Sequence, residues 1–198
     1  MYQREQKHRD NCAKMRDLLL QVIKDENFNF GSVINVDDRL YDLYRKAPLE
    51  TKTDYYHLYS LSVENSLIGL VEQKPMLHNC GTTACVFGYS PGALPELIWS
   101  GQHVVRRDGG DIDTTMDYFA KELLGLHWYY FEGSGWDMSR EVTREDCIAM
   151  LHYFTQPRTY INPMEDRNSI PLTERQVNVF HKYAKETLYA NQEAKDHS

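Results

Sequence analysis

Nothing in this chain of 198 residues approaches the roughly 18 consecutive apolar positions that a membrane-spanning helix needs, so no membrane contact is expected. The opening segment, Met1 to His8, is charged from the outset and lacks the apolar core of a leader peptide. Cysteine is scarce. The four thiols, at positions 12, 80, 85 and 147, are too few and too scattered for a secreted disulfide framework, which points to the cytoplasm and reduced thiols. Positive charge is in deficit, with 22 Lys and Arg against 29 Asp and Glu. The net charge of −7 removes the cationic surface on which non-specific nucleic-acid binding depends. Spread over the whole chain, the same charge is too dilute for a nucleic-acid mimic, and it reads as ordinary solubility. There is no internal repeat and no low-complexity tract.

What is present describes a globular protein able to bury a real core. Its aromatic residues are biased to tyrosine, 14 Tyr against 7 Phe and 3 Trp, which suits half-buried positions and interfaces alike. Helical signals dominate. Met15, Leu18, Leu19, Val22 and Ile23 recur at three- and four-residue steps within residues 3–26, one apolar stripe on a charged helix. Residues 38–46 predict a shorter helix closed by Pro48, and residues 54–71 a helix interrupted near Ser62. Pro91, Gly92 and Pro95 break the chain, leaving residues 96–100 at most a turn of helix before a brief strand at His103-Val104-Val105 and a turn over 108–111. Thr114 with Asp117, Thr143 with Asp146 and Thr173 with Gln176 have capping-box spacing, each opening a helix, the first ending at Gly125. Residues 156–171 read as a loop, and the last residues as frayed.

The expected architecture is mainly α. It is a single helical domain with short irregular or β segments, flanked by an amphipathic helix over 1–27 and by a loop plus helix over 156–198. A terminal helix with so clear a stripe must bury it, on this domain or on another subunit.

The densest concentration of chemistry is His78-Asn79-Cys80-Gly81-Thr82-Thr83-Ala84-Cys85-Val86-Phe87-Gly88-Tyr89. A thiol nucleophile is one reading. Cys80 ahead of a helix start would gain from amide donors and the helix dipole, with His78 or His103 as base and Asp111 or Asp113 orienting it. The competing reading is packing: buried cysteine is common, Ala84 and Gly88 form a small-residue face, and Thr82 or Thr83 caps the helix. The packing reading is preferred. Zinc would draw on His78, Cys80 and Cys85, with Cys147, His127 or His152 as a fourth ligand, but the spacing matches no standard zinc site. A Cys80–Cys85 disulfide within one helix is excluded by the rise of ~1.5 Å per residue. Asp108, Asp111, Asp113 and Asp117 lack the alternation and terminal Glu of a calcium loop. No metal and no cofactor are expected. Trp128 to Phe131 and Trp136 are read as core and edge aromatics.

Three blocks in this sequence resemble a domain that recurs in small bacterial and phage proteins. They are Phe28-Asn29-Phe30-Gly31, then Cys80-Gly81-Thr82-Thr83-Ala84-Cys85 followed by Gly88-Tyr89, then residues 120–126 with Phe131, Gly135-Trp136 and the helix after Thr143. The resemblance spans about residues 28–155, with an insertion over about 37–75. It implies a helical fold and a phage or bacterial origin, and it carries no activity.

Two function classes follow. The first is a non-enzymatic interaction module, phage-encoded and acting in the host cytoplasm on a host or phage protein, or by self-association, with Thr82, Thr83 and Tyr89 as binding residues. The alternative is a small cysteine-dependent hydrolase or transferase using Cys80 with His78.

Overall fold

The computed structural model describes residues 2–3, 5–30, 34–35, 42, 45–46, 48–72, 83–101, 103–131, 136–159 and 172–190. Its helices are α1 (Gln6–Gln21), α2 (Lys52–Val71), α3 (Val86–Tyr89), α4 (Ile112–Asp117), α5 (Arg144–Tyr153) and α6 (Glu174–Ala184). π-helical turns, Tyr118–Leu123 and Lys185–Tyr189, extend α4 and α6. Strand pairing is slight. Among the described residues, Tyr2–Gln3 pairs antiparallel with Arg158–Thr159, Ile34–Asn35 with Thr83–Ala84, and Leu97–Ser100 with His103–Arg106, while Trp136–Asp137 runs parallel to Leu172–Thr173. The fold is mainly α, and no described helix is long and apolar enough to cross a membrane.

The centre is α5. Every residue from Asp146 to Tyr153 is buried, because Cys147-Ile148-Ala149-Met150-Leu151 is apolar on all faces of a helix. Such a helix needs cover on more than one side, and the two terminal helices supply it. The α1 stripe of Cys12, Met15, Leu18 and Leu19 packs against α5, as do Val177, Phe180 and Ala184 of α6. Both terminal helices therefore dock within the chain. Their starts follow the sequence: Thr143 with Asp146 and Thr173 with Gln176 form reciprocal capping boxes.

Gly125 closes the segment begun by α4. Its φ of +62° lets the Gly125 N–H donate to the Lys121 carbonyl (3.1 Å) and the Leu126 N–H to the Ala120 carbonyl (2.8 Å). Each bond spans one residue more than the usual left-handed helix stop, because the last turn is π-wide. The carbonyls of Leu123 and Leu124 are met from α1, by Asn11 Nδ2 (3.0 Å) and Cys12 Sγ (3.9 Å).

Several expectations need correction. Helix α2 is continuous through Ser62. Its buried residues Tyr59, Val63, Ser66 and Leu67 keep helical spacing, but exposed Leu58 and Leu61 blur that pattern in the sequence. Residues 97–100 form a strand rather than a helical turn, since His103–Arg106 offers a complete ladder across a turn at Gly101 (φ +59°), whose N–H donates to Glu64 (2.6 Å). Helix α4 begins two residues before Thr114. The Asp111 carbonyl accepts from the Thr114 N–H, Thr114 Oγ1 and Thr115 Oγ1, while Asp117 pairs with Lys121 (2.8 Å) rather than closing a capping box. Of the helix expected over 38–46, only residues 42, 45 and 46 are described, and they are helical. Most of 156–171 and all of 191–198 lie outside the described residues.

A Cβ on Gly125 would stand 2.5 Å from the His8 ring. Gly125→Ala is expected to lose about 1–3 kcal/mol from the combined clash and positive φ. Adding His8→Ala should restore the steric share, as read by urea unfolding; a Gly125→Ala variant as stable as the parent contradicts this account.

Candidate functional site

The three sequence blocks meet in space. Phe28 forms a β-bridge with Ala84, the Asn29 N–H donates to the Ala84 carbonyl (3.1 Å), and the Tyr89 hydroxyl donates to the Asn27 carbonyl (2.5 Å). Phe30 meets Trp136 edge-on, with ring centroids 5.5 Å apart. Phe119 lies between Phe87 (5.2 Å) and Phe131 (4.9 Å), joining the second and third blocks in one aromatic cluster.

Beside this junction a cleft of 240 Å³ opens, lined by Asp25, Phe28, Phe30, Glu141, Val142, Thr143 and Arg144. Arg144 organises it. Its Nε donates to Asp25 Oδ1 (2.7 Å), Nη1 to the Leu19 carbonyl near the end of α1 (2.7 Å) and Nη2 to Glu145 Oε1 (3.3 Å). The volume lies below the roughly 300–1,000 Å³ of small-molecule sites and suits a protein side chain better than a cofactor.

Behind the cleft stands a buried charge. Asp146 is fully buried and accepts from Arg140 through both guanidinium nitrogens (2.7 Å each), from the Thr143 N–H and Oγ1 (2.8 Å each) and from His181 Nε2 (2.7 Å). Burial disfavours the carboxylate, but the Arg140, His181 and Thr143 donors together outweigh it and hold Asp146 well below the usual carboxylate range. At the other end of α5, Arg16 Nη1 donates to His152 Nδ1 (2.9 Å). That fixes the proton on Nε2, which donates to Thr187 Oγ1 (2.8 Å), and Thr187 donates onward to the Tyr183 carbonyl (2.7 Å). Burial, then the neighbouring Arg16 charge, lowers the His152 pKa to about 4.

Of the residues singled out in the sequence, His78, Cys80 and Thr82 lie outside the described residues. Thr83 is on a strand opposite Asn35, so it is not a helix cap. The residue before α3 is Cys85, whose side chain makes no capping bond. Tyr89 was expected to bind a partner, but it is fully buried with its hydroxyl committed to Asn27, so its ring reaches no partner surface. Cys12, Cys85 and Cys147 are buried, and burial pushes the Cys85 and Cys147 thiols up, away from nucleophilic range. His103 is exposed on its strand, Asp111 is exposed ahead of α4, and the Asp113 side chain lies outside the description. His127 lies against Trp128 with centroids 5.6 Å apart. Among the described residues no group of three or more His, Cys, Asp or Glu side chains is placed to hold a metal ion. Tyr130, Phe131 and Trp136 are core aromatics, as expected.

Sequence reasoning missed Arg140, His181 and the Arg16–His152–Thr187 chain. The capping box placed Asp146 at a helix start, but nothing in the sequence brings residues 140 and 181 to it.

These groups predict two acid limbs. His152 takes up a proton near pH 6.5 when unfolded and only near pH 4 when folded, so stability falls across that window and levels off below it. Asp146 has a depressed folded pKa, so its contribution is complete above the unfolded value near 3.8 and is lost as pH falls further. His152→Phe should flatten the upper limb, worth on the order of 2 kcal/mol, in urea midpoints measured from pH 7 to 4. Asp146→Asn should cost about 2–4 kcal/mol at pH 7. An upper limb unchanged in His152→Phe rules out the histidine as its source.

Compared with known protein families, with curated proteins and with solved structures, the chain matches none.

Proposed function

We propose that this chain is a non-enzymatic protein-interaction module, phage-encoded, that acts on a host or phage protein in the host cytoplasm. The observation that carries the reading is the open cleft beside the meeting point of the three blocks. Among the described residues its lining contains carboxylates, a guanidinium, a hydroxyl and aromatic rings but no thiol and no imidazole, a composition suited to recognition rather than nucleophilic catalysis. Exposed leucines on α2, Leu58 and Leu61, add apolar contact area elsewhere on the surface. The resemblance of the three blocks to a domain of bacterial and phage proteins supports the proposed origin. The enzymatic alternative rests on Cys80 with His78, and the buried Cys12, Cys85 and Cys147 lend it nothing.

The test compares immobilised wild-type protein with Val142→Arg, which fills the cleft from its half-buried wall, in lysates of bacteria with and without phage. A protein retained by the wild type and lost from the variant, with both equally folded by circular dichroism, is the expected result. Identical retained sets refute the cleft as the binding surface. Retention of further copies of the chain itself would redirect the reading to self-association.

A further inference from the structure

The charge and walls of the cleft select one class of occupant, an argument that rests on the interaction reading above. Its only lining cation among the described residues, Arg144, is 13% exposed and already committed to Asp25, Glu145 and the Leu19 carbonyl. Two carboxylates, Asp25 and Glu141, line the cleft against that single guanidinium. Asp25 remains 78% exposed despite its pairing, so it stays open to a second partner, and Glu141 is exposed as well. Phe28, Phe30 and Val142 supply an apolar wall.

An acidic side chain would meet two like charges here. A purely apolar one would cover the carboxylates without offering them a donor, which costs free energy. A long side chain with an apolar stem and a cationic head meets both demands: the stem packs on the phenylalanines, and the head reaches the carboxylates with a cation–π contribution. The 240 Å³ volume is compatible with a single such side chain rather than a larger ligand. The net charge of −7 would also speed the approach of a basic segment. From this geometry we infer that the cleft is the docking site for an arginine or lysine side chain presented by a basic segment of a partner protein.

The probes are four capped tripeptides, Gly-Xaa-Gly, with arginine, lysine, norleucine or glutamate at the centre, titrated into the ¹⁵N-labelled full chain. The expected result is saturable shifts of the Phe28, Phe30, Val142 and Thr143 amides with the arginine and lysine peptides only. Glu141→Gln, an exposed and fold-neutral change, should weaken that binding roughly two- to fivefold, and added salt should weaken it further. Equal saturation by the norleucine peptide overturns the cationic occupant but leaves the interaction reading standing. Shifts scattered over the acidic surface, or none from any peptide, overturn the inference. The interaction reading is then decided separately by whether Val142→Arg still retains its partner.

Discussion

A helix buried on every face cannot stand alone, and α5 is such a helix. Burying a large apolar side chain contributes about 1.5–3 kcal/mol. The run from Cys147 to Leu151 therefore drives the assembly only if other elements close over it from opposite sides. The first and last described helices do so, which brings two distant parts of the chain to one core. The amphipathic stripe of α1 is then one half of the shell round α5.

The polar anchors follow from that arrangement. Asp146 is fully buried in the first turn of α5, so its charge is tolerable only because Arg140, Thr143 and His181 together satisfy both oxygens. His152 stays neutral near the far end of the same helix, fixed by donation from Arg16. Arg144, one residue after the cap, holds the end of α1 and the wall of the cleft at once. The segment from Arg140 to Asp146 thus joins core, helix start and cleft, and damage to the core would be felt in the cleft.

Legibility in the sequence tracked how local each feature is. The capping boxes at Thr143 and Thr173 and the stop at Gly125 are short-range patterns, and each was readable from residue types alone. The failures have physical causes. The break expected near Ser62 reflected exposed Leu58 and Leu61, which mask the buried spacing of Tyr59, Val63 and Leu67. The strand at 97–100 was hidden because a ladder is decided by its partner. Tyr89 looked like an interface residue, yet tyrosine suits core and surface equally, and only its bond to Asn27 separates the two.

Composition and periodicity by themselves determined that this chain is mainly helical, where α5 and α6 begin and where the segment begun by α4 stops, because propensity, capping and turn chemistry act over a few residues. Tertiary structure alone decided that both terminal helices pack on α5, that Arg140 and His181 reach Asp146, and that Asp25, Phe28 and Arg144 share a cleft. Those contacts join positions separated by up to more than a hundred residues, and no local pattern encodes which distant side chain will arrive.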